Sequence, residues 1–194
     1  MGRHKEFERE DVLRRAIPVF WEKGFASTST EDLVQAMGIG RQSLYDTFGD
    51  KRGLFLEALR VYTTESIAAL LKTLRAGPTV LEAIERVLVE LAEAHDKVRA
   101  RGCMGVNAIC ELVPEDAEVR ALTETTGGLL EAHLKDIIDE GKSQGDIARS
   151  IDSRAAARFI GATLSGMKVQ AKAGVSSEAL RDVATFAVNA LRSR

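Results

Sequence analysis

Residues 28–55, TSTEDLVQAMGIGRQSLYDTFGDKRGLF, constrain this chain more than any other stretch. Two short helical patterns flank Gly38-Ile39-Gly40, and a further helix begins at once behind them. Ser29 with Asp32 three positions on approximates a capping box for the first. Leu33, Ala36 and Met37 form its expected buried stripe, and Ile39 plugs the gap between the two. The second pattern, residues 41–47, turns Leu44 inward, with Phe48 just behind it, and is otherwise polar. A helix so short does not hold together alone in water and must be displayed on a scaffold. An exposed polar helix behind a tight turn suits insertion into the major groove of DNA.

The remaining chain reads as helix throughout. In residues 8–23, Leu13, Ala16, Ile17, Phe20 and Trp21 share one face; Pro18 predicts a bend and Gly24 a stop. Asp50 caps a fourth helix, expected to run to Arg75, with Leu54, Phe55, Ala58, Val61 and Tyr62 on one side. Val80, Leu81, Ile84, Val87, Leu88 and Leu91 mark the next, and a short amphipathic piece covers 104–112. Pro114 is expected at the first position of a long helix, with Glu115 and Asp116 at its positive end. Its buried side holds Val119, Leu122, Leu129, Leu130, Leu134, Ile137 and Ile138.

The last two helices carry Ala157, Gly161, Leu164 and Ser165, then Leu180, Val183, Ala184, Ala187, Val188 and Leu191. Small residues at such spacing let backbones approach closely. These positions suit a four-helix bundle shared by two chains, or equally the closure of a monomer core; periodicity leaves both open. The expected fold is all-α, with a three-helix DNA-binding domain over 1–54 and a helical effector-binding and dimerisation domain over 55–194.

Composition narrows the function. Lys and Arg number 27 against 29 Asp and Glu, so contact with a polyanion must come from local placement of cations, hydroxyls and helix N-termini. No apolar run spans a membrane, and the charged first residues lack a signal core, so a cytoplasmic location is expected. Two cysteines fit a reducing compartment without obligatory disulfides. Phosphate loops, zinc-protease and serine-hydrolase motifs are missing, so neither an enzyme nor a bound cofactor is expected. The histidines and cysteines lack metal-ligand spacing.

With these elements in place, the chain resembles the TetR family of transcriptional regulators. The segments AIPVFWEKGF (16–25), TSTEDLVQAMGI (28–39) and SLYDTF (43–48), followed by Asp50, Lys51, Leu54 and Phe55, carry the resemblance in order and spacing. The stretch GCMGVNAICELVPED (102–116) resembles one broad subgroup. Gly40 departs from the family where a hydroxyl residue often caps the third helix, and Gly53 where a helix former is common. The resemblance implies a homodimer that reads a near-palindromic operator, typically as a repressor. A small effector bound in the C-terminal domain would release it.

Gln42 and Ser43, in the first turn of the third helix, are then expected to reach base edges, and Arg41 a base or a phosphate. Tyr45 and Thr47 offer hydroxyls to phosphates, and Lys51 a cation. Thr28, Ser29 and Gly40 lie at helix N-termini that suit phosphate contact. Asp46 either faces away or accepts from a cytosine amine. Arg3, His4 and Lys5 form either a frayed tail or an arm into the minor groove.

Effector candidates between helices four and eight are Tyr62, His95, Cys103, Met104, Asn107, Cys110, Glu111, His133 and Met167. Cys103 stands at a helix start and is either an inert packed thiol or a sensor of oxidants or electrophiles. A constitutive DNA-binding or adaptor protein without an effector is the remaining alternative.

Overall fold

The computed structural model describes residues 8–113 and 115–192. Arg3, His4, Lys5 and Pro114 lie outside the described residues. Among those described, the secondary structure is helical: α1 (Arg9–Lys23), α2 (Thr30–Met37), α3 (Arg41–Phe48), α4 (Lys51–Arg75), α5 (Val80–Glu93), α6 (Asp96–Arg101), α7 (Met104–Leu112), α8 (Ala117–Gln144), α9 (Ser153–Lys172) and α10 (Ser177–Leu191).

Local chemistry sets the ends. Ser29 and Asp32 form both halves of a capping box: Asp32 N donates to Ser29 Oγ at 3.1 Å, and Ser29 N to Asp32 Oδ2 at 2.9 Å. Gly38 ends α2 in the left-handed region, at φ 68°, which favours glycine. Ala36 is exposed, so the buried stripe of α2 is Leu33 and Met37 alone. Asp116 caps the start of α8; its carboxylate accepts from the amides of Glu118 and Val119. Leu129, expected inside, is exposed.

The apolar residues gather into two cores. One is centred on the first three helices, where Val12, Leu13, Ala16, Phe20, Leu33, Met37, Leu44 and Phe48 meet Leu54, Phe55, Ala58 and Leu59 of α4. Met104 and Ala108 of α7 and Val119 of α8 complete it. The expected boundary at 54/55 therefore does not separate the cores: α1 to α3 bury their faces only with α4, α7 and the start of α8. Each large side chain so buried contributes about 1.5–3 kcal/mol. The second core joins α5, the far end of α8, α9 and α10.

That second core overturns most of the expected dimer contacts. Ala157, Leu164, Leu180, Ala184, Ala187, Val188 and Leu191 are all buried within the chain's own core. Outward the helices turn the expected Val183 together with Phe159, Val169 and Phe186, the last 74% exposed. Ser165 is also exposed, and a side-chain carbon at Gly161 would meet nothing within 4 Å.

Candidate nucleic-acid interface

Leu44 and Phe48 anchor α3 in the first core and leave its other faces to solvent. Gly40, Arg41, Gln42, Tyr45 and Asp46 are exposed and Ser43 is half-buried. Gln42 Nε2 donates to Asp46 Oδ1 at 2.9 Å along one turn. Arg41 is only loosely paired, its guanidinium 3.8 Å from Glu31. The result is a short polar ridge on a rigid apolar base.

Two expected phosphate contacts, Thr28 and Lys51, are occupied elsewhere, and a third, Thr47, is enclosed. Thr28 is buried and its hydroxyl donates to the carbonyl of Gly24 at 2.5 Å. Lys51 Nζ donates to the carbonyls of Phe25 and Thr28, both at 2.9 Å, and lies 4.4 Å from the Phe25 ring centre. Thr47 Oγ1 is enclosed and finds no hydrogen-bond partner among the described residues. Lys51 and Thr28 thus hold the α1–α2 connection onto α4, because the chain leaves α1 with carbonyls free and a cation satisfies them. Ser29 remains exposed, although its hydroxyl already serves the capping box. Hydrogen bonds from Lys23 and from Ser29 hold the Asp32 carboxyl well below the usual carboxylate range, so the cap stays anionic.

Among the polar links that tie this head to the rest of the chain, three reach the segment 102–118, and sequence reasoning found none of them. Trp21 Nε1 donates to the carbonyl of Gly102 at 3.0 Å. The Glu111 carboxylate accepts from the amides of Phe25 and Ala26 at 3.0 and 2.6 Å. Arg52 grips the Asp116 carboxylate, and its third nitrogen lies 2.6 Å from Glu118. All span more than sixty residues of sequence, so no local pattern signals them.

Among the described residues, no one cavity gathers all the effector candidates. Glu111 serves the link just described. Asn107, Cys110 and Glu111 line a surface cleft of about 310 Å³ with Glu22, Lys23, Gly24 and Lys172. His95 is exposed and caps α6 through Nδ1, His133 is half-buried on α8, and Met167 belongs to the second core. Tyr62, Cys103 and Met104 do come together. The Tyr62 ring packs edge-on to Trp21 at 5.0 Å, and Lys168 Nζ approaches Cys103 Sγ to 3.9 Å. Burial, with the neighbouring Cys103, pushes the Tyr62 phenol up from its ordinary value, so it stays a neutral donor. Lys168 was missed because it lies on α9, far along the chain.

A rigid head that presents a polar second helix behind a glycine turn defines a helix-turn-helix DNA-binding protein. Comparison with known proteins makes the assignment closer. The family described as "Bacterial regulatory proteins, tetR family" matches residues 12–58, and the one described as "Tetracyclin repressor-like, C-terminal domain" matches 77–187. The chain belongs to the TetR family of transcriptional regulators, and such proteins are not enzymes.

The HTH-type transcriptional regulator YezE of Bacillus subtilis (strain 168) is 38% identical over 184 residues, covering 94% of this chain and 95% of its own. The HTH-type transcriptional repressor ComR of Escherichia coli (strain K12) is 28% identical over 185 residues, covering 94% and 88%. Among solved structures, a cysteine mutant of the TetR family transcriptional regulator CifR complexed with 26-bp double-strand operator DNA superposes with a TM-score of 0.83 at 33% identity, covering 98% of this chain and 100% of that one. Reduced NemR of E. coli shares the fold, with a TM-score of 0.83 at 18% identity, covering 95% of this chain and 97% of that one. No described helix is long and apolar enough to cross a membrane.

Proposed function

We propose that this regulator acts in the cytoplasm as a homodimeric repressor that binds a near-palindromic operator and is released by a small effector. The observation that carries the reading is the exposed ridge of α3, with Arg41, Gln42 and Tyr45 turned to solvent and Ser43 half-buried beside them on an apolar base. Its support from relatives is the operator complex of CifR and the repressor name of ComR. Dimerisation through the outer faces of α9 and α10 would hide Phe159, Val169, Val183 and Phe186, which otherwise leave apolar surface in water. Selection of bound duplexes from a random pool tests the reading. The expected product is an inverted repeat, bound with steep salt dependence; a pool that stays unselected would sink it.

A second reading concerns the signal, and the Cys103–Lys168 contact favours it. Cys103 is half-buried, at the start of α7, with a cation beside its sulfur and the carbonyl of the preceding residue bonded to Trp21. Alkylation of that sulfur, in which the S–C bond forms as the electrophile's leaving group departs and the thiol proton passes to solvent, would add bulk where the head meets α7. Exposed Cys110 has no such setting. The test is operator release by iodoacetamide in the parent and in Cys103→Ser. Release confined to the parent supports a thiol signal; equal release in both refutes it and returns the effector role to a non-covalent ligand.

A further inference from the structure

The hydrogen bond between Gln42 and Asp46 has a chemical consequence for base reading. Among the described residues, Asp46 accepts from Gln42 Nε2 and makes no ion pair, although it is exposed on the ridge that would face a polyanion. Its charge is therefore not explained by burial or by a cation, and on its own it would repel phosphate. A primary amide has two N–H groups and one carbonyl oxygen. Donation of one N–H to Asp46 leaves Gln42 with the other N–H and Oε1. That donor–acceptor edge complements the N7 acceptor and N6 amine of adenine in the major groove. A free glutamine on an exposed helix samples many rotamers, and fixing one opposes binding. The carboxylate one turn away restricts the amide before DNA arrives.

We infer that Asp46 is a positioning residue for Gln42, and that the pair reads an adenine in each half-site. The inference rests on the operator-binding reading above and adds which base is read and how. The Asp46 carboxylate holds the amide; Gln42 makes the base contact.

The experiment is selection of bound duplexes from a random pool with the parent, Gln42→Ala, Asp46→Ala and Asp46→Asn. The parent should enrich one A·T pair per half-site, and Gln42→Ala should lose that preference by about 5- to 150-fold. Asp46→Ala should relax the same base pair, whereas Asp46→Asn, whose side-chain oxygen still accepts from Gln42, should restore it. Both Asp46 variants lose the same charge, so general affinity rises alike in both, and only positioning separates them. If Asp46→Ala lowers helix content by circular dichroism, Asp46→Ser replaces it, since a hydroxyl on one carbon cannot span the turn. Three outcomes overturn the inference alone: relaxation at a different base pair, which makes Asp46 a direct reader; identical selection by the Ala and Asn variants; or a G·C pair at the Gln42-dependent position. A parent that selects no sequence removes the operator reading itself, a result distinct from the others.

Discussion

Arg52 and Asp116 meet in a two-pronged ion pair, Nε to Oδ2 at 2.9 Å and Nη2 to Oδ1 at 2.8 Å, that fastens the first turn of α4 to the cap of α8. The same carboxylate accepts from the first amides of α8, so one aspartate closes a helix end and joins the head to its support. The guanidinium, then the Val119 amide, hold Asp116 down at about 2 against an ordinary 3.8. A depressed carboxyl contributes stability that is complete above the ordinary value and is lost as the pH falls through the folded one. Asp116→Asn should therefore be less stable than the parent near neutral pH, by about 1 kcal/mol once solvent at the half-exposed guanidinium is allowed for. The gap should close on acidification toward about 2. Urea titrations across that range check it; a gap independent of pH would contradict the ion pair.

Gly53 and Gly128 are both helical glycines with opposite prospects. A side-chain carbon at Gly53 would stand 2.4 Å from the carbonyl oxygen of Phe48, whereas at Gly128 it would meet nothing within 4 Å. Gly53→Ala should destabilise by about 1–3 kcal/mol despite the better helix former, because backbone must shift. Gly128→Ala should stabilise by about 0.8–1 kcal/mol. Denaturant midpoints of the two variants should move in opposite directions. The clash also accounts for a glycine in the first turn of α4.

Lys51 is held by the carbonyls of Phe25 and Thr28. Lys51→Ala should lower stability by about 1–3 kcal/mol, leaving two carbonyls short of a donor. It should leave the slope of log affinity against log salt unchanged. Loss of one phosphate contact would instead reduce that slope by about 0.9. Thermal melts and a salt series on operator DNA distinguish the two roles.

Phe186 and Val188 sit two residues apart on α10 and face opposite ways, the first 74% and the second 2% exposed. Phe186→Asp should yield a monomer in sedimentation with its helix content intact. Val188→Ala should leave the oligomeric state alone and cost about 1–3 kcal/mol of stability. A dimer that survives Phe186→Asp would argue against this face as the interface.

Local chemistry carries far in this chain. The capping box at Ser29 and Asp32, the left-handed turn at Gly38, and the inward Leu44 and Phe48 depend on neighbours within four residues, and the sequence shows them all. The family resemblance rests on the same local order. The candidate site was legible as an exposed helix, but not residue by residue: Thr28 and Lys51 look free for phosphate until the carbonyls of the α1–α2 connection are placed beside them.

By itself, then, the amino-acid order determined the succession of helices apart from the break between α5 and α6, most of their limits and the polar ridge of α3, because caps, turns and periodicity act over one or two turns of chain. Only the packed molecule decided which side of α9 and α10 is inside, since Leu180, Ala184 and Val188 compete with Val183 and Phe186 for burial and α5 settles the contest. The joins Trp21–Gly102 and Arg52–Asp116 were decided the same way. A hydrogen bond or ion pair between distant segments forms where packing brings donor to acceptor, and no sequence spacing encodes that approach.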